Sequence, residues 1–180
     1  PPPTSAPLYS SAASDVYKRQ AFKWPAVSVI IPHYNAPDDL ARVVDAVRAQ
    51  DYSGDVEIVV ADDGSTQLPQ IPGVRLVQQE DLGFRAAAAR NLGAEAATGQ
   101  VLVFLDADTV PDPGYLSAVV PHIVGDPRAV VVGTRLTGPE QSEPEWLAQA
   151  WRDTDDLRAA DHTSWRFVIS AVLSLSLIHI

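Results

Sequence analysis

Residues 101–116 read VLVFLDADTVPDPGYL. Five apolar residues, Val101 to Leu105, run without a break into Asp106 and Asp108, with one alanine between the two acids. A run of that length and composition predicts a strand buried on both faces, the kind found in parallel sheets. Asp112 and Pro113 then suit the N-cap and first position of a helix whose apolar side is Tyr115, Leu116, Val119 and Val120. Strand, acidic loop and helix in close succession are the unit from which α/β domains are built.

Two carboxylates at the end of a buried strand repel each other and lose hydration, so something must offset both costs. A helix cap would occupy one acid and leave the other. Two acids at i and i+2 can instead hold a divalent cation through oxygen ligands, and a cation with few protein ligands keeps positions open for substrate phosphates. The ion that arrives with its ligand then relieves the repulsion.

Outward from this segment the same alternation repeats. VSVIIP (27–32) is a β-branched run closed by proline, a strand pattern. In APDDLARVVDAVRAQ (36–50), Leu40, Val43, Val44 and Val47 recur at helical spacing, and Pro37, Asp38 and Asp39 suit a first turn. VEIVVA (56–61) is a second strand, followed by the loop DDGST, and VRLV (74–77) a short third. A helix is predicted from about Gly83 to Ala97, stopped by Thr98 and Gly99. The strand 101–105 is the fourth, and AVVVG (129–133) closes the series. Strands alternating with helices imply an α/β fold with a mainly parallel central sheet covered on both faces, and ligands at the carboxyl ends of its strands.

Polar groups collect at three of those ends. The first strand delivers Pro32, Tyr34 and Asn35, the second Asp62 and Asp63, the fourth Asp106 and Asp108. If these strands are neighbours, the three groups share one crevice. Singly, Asn35 could cap the following helix, and Asp63-Gly64-Ser65 is a good turn by composition alone.

With 180 residues, 46% of them apolar, the chain can bury one α/β core. A formal net charge of −10 argues against a broad basic surface for nucleic acid. The absence of cysteine excludes a disulfide framework and thiolate metal sites. A cytoplasmic location, or one at the inner face of a membrane, is expected. The apolar run from Phe167 to Ile180 is too short for a membrane span, and its first half reads as a buried strand. Methionine is absent, and PPPTSAPLYSSAASDVYKRQ (1–20) and the closing SLSLIHI resemble foreign sequence, so a fragment with a C-terminal truncation is expected.

FLDADTV also fits the Asp-x-Asp-x-Thr pattern of haloacid-dehalogenase-like phosphatases, but these need a later lysine. The two lysines here, Lys18 and Lys23, both lie upstream. A non-catalytic nucleotide-binding module is a further alternative. A receiver domain would need its acids after the first strand and a late lysine. A dinucleotide-binding domain would need a glycine-rich turn where this chain has PHYNAP.

VSVIIPHYNAPDDL, EIVVADDGST, LGFRAAAARNLGAEAATG and VLVFLDADTVPDPGYL, in that order, resemble a family-2 glycosyltransferase. The resemblance implies the GT-A fold, a Rossmann-like three-layer sandwich. It also implies transfer of a sugar from a nucleotide diphosphate, a UDP-sugar by preference, to an acceptor hydroxyl with inversion, assisted by Mg²⁺ or Mn²⁺ at a DXD motif. The acceptor would be a glycan, lipid or small molecule. Carried over, it sets Pro32, Tyr34 and Asn35 beside the nucleoside and has Asp62 or Asp63 accept from a uracil-like base. Gly83 would permit close approach near the base, Arg90 and Asn91 would sit near the nucleotide, and Arg85 is a candidate for the diphosphate charge. Asp106 would touch the ribose or the metal, and Asp108 would ligate the metal.

The implied organisation is a leader at 1–23, a nucleotide-sugar-binding core at 24–135, the start of an acceptor-side subdomain at 136–173 and a foreign tail at 174–180. The catalytic base is expected in a Glu-Asp pair beyond the C-terminus. The acids Asp153, Asp155, Asp156 and Asp161 read as a solvated helix face, and Trp146, Leu147 and Trp151 as an amphipathic helix. His33, His122, His162 and His179 lack metal-ligand spacing, and His33 reads as a loop residue.

Overall fold

The computed structural model describes residues 23–126 and 128–133 and the backbone of 172–176. The sequence features noted at 134–171 and at either end lie outside the described residues. Among the described residues, no helix is long and apolar enough to cross a membrane.

The chain begins with strand β1 (Val27–His33), helix α1 (Pro37–Arg48), strand β2 (Val56–Asp62) and strand β3 (Arg75–Gln78). Helix α2 (Ala86–Ala96), strand β4 (Val101–Leu105), helix α3 (Tyr115–Gly125), strand β5 (Val130–Val132) and strand β6 (Val172–Ser176) complete it. The six strands form one sheet in the order β3-β2-β1-β4-β6-β5. β3, β2, β1 and β4 are parallel, while β6 runs antiparallel to both β4 and β5. A strand is expected in the first half of the run 167–180; the one described there, β6, spans 172–176, mostly in the second half, within the sheet and across the expected boundary at 173.

The two faces of the sheet are covered separately, and strand alternation decides which residue goes where. Val27, Val29 and Ile31 of β1 pack with Val101, Val103 and Leu105 of β4 against α1 and α3. Ile30, Val59, Leu102 and Phe104 point to the other side, where Val77 and the alanines of α2 cover them. All four apolar residues expected of α1, Leu40, Val43, Val44 and Val47, are buried. Burying side chains of this size stabilises by roughly 1.5–3 kcal/mol each before the entropy of ordering is counted. α2 approaches the sheet closely because Gly93 faces it: a Cβ there would lie 2.5 Å from Ile30 Cγ2.

Two helix starts differ from expectation. α3 begins at Tyr115 and not at Pro113, and its N-cap, Gly114, makes no side-chain cap. Its amide at Leu116 is satisfied from another element, by Gln50 Oε1 at 3.0 Å, while Gln50 Nε2 donates to the Asp112 carbonyl at 2.7 Å. A side chain reaching across from the end of α1 has replaced the local cap. α2 begins at Ala86, three residues after Gly83, because Gly83 takes φ +85° and the Arg85 amide is engaged by β2's terminal loop.

Candidate functional site

β1 lies between β2 and β4, with all three parallel, so their carboxyl ends open on one side of the sheet. There they enclose a cleft of about 360 Å³. β1 contributes Pro32, His33 and the following Tyr34, and the loop after β2 contributes Asp63. Phe84 and Arg90 come from the start of α2 and its approach, and Asp106, Ala107 and Asp108 from the end of β4.

The first acidic pair is built into the protein. Asp62 has no exposed surface. Its Oδ1 accepts from Ser65 Oγ at 2.6 Å and pairs with His33 Nδ1 at 2.8 Å, and its Oδ2 accepts from the amides of Gly64 at 3.1 Å and Ser65 at 2.8 Å. Burial alone would raise its pKa, but the hydrogen bonds from Ser65 and His33 outweigh burial and hold it below the ordinary carboxylate range. Asp63 is almost as buried but faces the cleft. Its Oδ2 accepts from the Arg85 amide at 2.8 Å and its Oδ1 from Gln79 Nε2.

His33 is not a loop residue: it ends β1 and is 2% exposed. Because Asp62 only accepts, Nδ1 carries the proton, and Nε2 is left to accept from the Ala36 amide at 3.3 Å. The ring thus ties β2 to the entry of α1. A signal for its burial, though not for its partner, was in the sequence, since His33 continues the alternation Val27, Val29, Ile31 onto the same buried face. Asn35 does not cap α1, whose N-cap is Ala36. At φ +49° it turns its Oδ1 to the amide and hydroxyl of Thr66, at 2.9 and 3.0 Å, and its own amide donates to Ser65 Oγ at 2.9 Å. Asn35 and His33 together fasten the loop after β1 to the loop after β2.

The second acidic pair is open. Asp106 is partly exposed and, among the described residues, meets one cation, Arg90, whose Nη2 donates to Asp106 Oδ1. Asp108 is exposed and accepts from Thr109 Oγ1 at 3.2 Å. Among the described residues no three His, Cys, Asp or Glu side chains are grouped to enclose a metal. The two carboxylates do fit an Mg²⁺- or Mn²⁺-type ion, which takes hard oxygen donors and completes its shell with substrate phosphates and water.

Of the residues singled out from sequence, Pro32, Tyr34, Asp63, Arg90, Asp106 and Asp108 line the cleft. Asn35 and Asp62 stand behind it as its fastening. Gly83 and Asn91 are exposed beside it, with open space around Gly83. Arg85 contributes its backbone amide to Asp63. Tyr34 is half exposed, its hydroxyl donating to Asp81 Oδ2 at 3.2 Å, and that bond followed by the Asp81 charge raises the phenol's pKa. The sequence reading missed His33, Asp39 and Phe84 as cleft residues. Phe84 is 97% exposed, and no apolar periodicity marks a residue that faces solvent.

Two solved structures have a similar fold. One is a mannosyltransferase of Pyrobaculum calidifontis, solved with GDP-Man and Mn²⁺, at TM-score 0.65 and 22% identity over 92% of this chain and 50% of that one. The other is the 1–349 portion of S. aureus TarS, solved with UDP-GlcNAc, at TM-score 0.56 and 22% identity over 66% of this chain and 37% of that one. The fold is therefore the GT-A, Rossmann-like α/β sandwich.

Sequence comparison defines the family. The profile of Glycosyl transferase family 2 matches residues 28–171, and the chain belongs to that family. It is 38% identical over 119 residues to validoxylamine A glucosyltransferase of Streptomyces hygroscopicus subsp. jinggangensis, covering 61% of this chain and 28% of that protein. It is 30% identical over 129 residues to chondroitin synthase of Escherichia coli, covering 67% of this chain and 19% of that protein. The chain thus spans less than a third of these curated relatives.

Proposed function

We propose that the cleft binds the nucleotide diphosphate of a sugar donor, a UDP-sugar first among the candidates, together with Mg²⁺ or Mn²⁺. The chain would then be the donor-binding part of an inverting glycosyltransferase. The observation that carries this reading is the strand order β2-β1-β4, which gathers Tyr34, Asp63 and the Asp106/Asp108 pair into one cleft. The similarity to folds solved with GDP-Man and Mn²⁺ and with UDP-GlcNAc supports it.

The choice between Asp62 and Asp63 as the base acceptor falls to Asp63. Asp62 already accepts four hydrogen bonds and does not line the cleft, whereas each Asp63 oxygen has one protein donor and lone-pair capacity for another. Pro32, Tyr34 and the exposed Phe84 offer apolar surface to the base and ribose. Asp106 and Asp108 would hold the cation, which when bound would supply charge stabilisation for the departing diphosphate. Arg90 counters the diphosphate from α2.

The acceptor, a glycan, lipid or small molecule, attacks the anomeric carbon through its hydroxyl oxygen, on the face opposite the phosphate. The sugar–phosphate bond breaks with its electrons going to the diphosphate, the hydroxyl proton passes to a carboxylate base, and the configuration inverts. The cleft carboxylates among the described residues are Asp39, Asp63, Asp106 and Asp108. Asp39 is paired with Arg42 and the others have the roles above, so the base is assigned to a residue outside the described ones.

Calorimetry with UDP, GDP and TDP, each with Mn²⁺ and again with EDTA, tests this reading. Binding is expected only with the cation, because the phosphates and the acidic pair otherwise repel. Equal affinity in EDTA would overturn the cation's role.

A further inference from the structure

Arg90 carries an observation that donor binding by itself leaves unexplained. One end of its guanidinium is committed to Asp106, yet its Nε is buried with no hydrogen-bond partner, the one such side-chain atom among the described residues. A buried donor without an acceptor is costly and uncommon in a folded protein. The side chain is 19% exposed and lines the cleft, so the guanidinium, though not Nε where it now lies, is within reach of a group bound there. A guanidinium presents a planar fork of donors that matches phosphate oxygens two at a time.

The surrounding charges sharpen the point. Of the four cleft acids, Asp39 is matched by Arg42, and Asp63 accepts from Gln79 and the Arg85 amide. Among the described residues, Arg90 is the only cation that lines the cleft, and it is spent on Asp106.

We propose that Arg90 is a stand-in for the divalent cation: it neutralises Asp106 while the cleft is empty and yields that carboxylate only when a diphosphate arrives to take the guanidinium. The proposal rests on the donor reading above and adds to it an order of exchange. An ion that took Asp106 and Asp108 by itself would strip Arg90 of its counterion and leave a largely buried cation unpaired, which opposes binding of the ion alone. A diphosphate supplies the replacement anion, and the guanidinium that turns from Asp106 to meet it brings Nε into the same fork of donors. Ion and diphosphate each remove the obstacle to the other, so their affinities are coupled and, by linkage, coupled equally in both directions.

The coupling through Arg90 is separable from simple chelation of the ion by phosphates, because it acts on the ion when no phosphate is present. The test is titration of Mn²⁺ alone into the full 180-residue chain, followed by the electron paramagnetic resonance of free Mn²⁺, with UDP binding measured separately at saturating Mn²⁺. Arg90→Gln is expected to bind Mn²⁺ alone about 10-fold more tightly than wild type, within the usual range of coupling between sites, and to bind UDP about 10-fold more weakly. Arg90→Lys, which keeps the charge but not the fork, falls between the two for Mn²⁺. Circular dichroism establishes that each variant is folded, and if Arg90→Gln is not, Arg90→Lys decides on the same criterion.

Unchanged or weaker Mn²⁺ affinity in a folded variant overturns the exchange. If wild type nevertheless binds Mn²⁺ with UDP and loses it in Asp108→Asn, the donor reading stands and only the exchange falls. If wild type binds no Mn²⁺ with or without UDP, both fall together.

Discussion

The two acidic pairs of this cleft sit at the ends of neighbouring strands and are surrounded in opposite ways. Asp62 and Asp63 are nearly inaccessible, and they accept six hydrogen bonds from within the protein, four to Asp62 from His33, the Gly64 amide and the Ser65 amide and hydroxyl, and two to Asp63 from Gln79 and the Arg85 amide. Asp106 is partly exposed and Asp108 exposed, with Arg90 and Thr109 as their side-chain partners among the described residues. A carboxylate whose lone pairs are filled by the protein, as those of Asp62 are, holds the fold, while Asp63, with one donor on each oxygen, keeps capacity on its cleft side. One whose lone pairs face solvent beside another of the same charge is open to the ligand proposed above. Glu57, at the other end of β2, belongs with the first kind: it accepts from Ser28 Oγ at 2.6 Å and from Thr98 N and Oγ1, both at 2.9 Å, and pairs with Arg75 Nε at 2.9 Å.

The comparison breaks most readily through stability. Asp62→Ala removes a buried acceptor and leaves its donors unpaired, which is expected to cost about 3 kcal/mol and to lower the melting temperature by about 6–12 °C. Asp108→Ala, on an exposed loop, should stay within about 0.5 kcal/mol of wild type. Thermal melts of both variants settle the matter, and equal losses would mean that the two pairs do not differ in kind.

A smaller effect is expected in acid. Burial would raise the pKa values of Asp62 and Glu57, but for Asp62 the bonds from Ser65 and His33 win. For Glu57 the bonds from Ser28 and Thr98, with Arg75, win, and both acids are held below their ordinary values of 3.8 and 4.5. Groups with depressed folded pKa values contribute stability above those ordinary values and lose it as the pH falls below them. Melting temperature should therefore fall as the pH drops from about 4.5 downward, and Asp62→Asn should show a shallower fall because one of the two groups no longer titrates. An identical acid slope in wild type and Asp62→Asn would remove Asp62 from the fold-holding class.

The smallest effect is at the rim. Tyr34→Phe loses the bond to Asp81 and should leave stability unchanged, since the hydroxyl is exposed and water replaces the carboxylate. In wild type the Tyr34 phenol should titrate above the ordinary tyrosine value, and Asp81→Asn should bring it back down, the hydrogen bond and then the charge being its causes. Ultraviolet titration of the two variants against wild type reads the difference.

How much of this was legible beforehand differs from residue to residue. β4 occupies 101–105 as the uninterrupted apolar run required, and α1 buries the four residues that its spacing selected. Both follow from periodicity within one element. The start of α3 was misread because Asp112 and Pro113 look like a local cap, while Gln50, sixty-six positions before Leu116, supplies the acceptor. His33 was misread for a similar reason: its partner Asp62 is twenty-nine positions away. Nothing near either residue in the chain announces the contact.

The sequence by itself determined the elements, their α/β alternation, and the presence of two acidic pairs at strand ends, because burial patterning and charge repulsion act over a few neighbouring residues. Only the tertiary structure decided that β1 lies between β2 and β4, that Asp62 is sealed by His33 and Ser65 while Asp63 faces the cleft, and that Arg90 stands against Asp106. Adjacent carboxylates with the same intrinsic chemistry acquire different roles from donors that the chain brings in over long separations, and such donors are settled by the packing of the whole sheet.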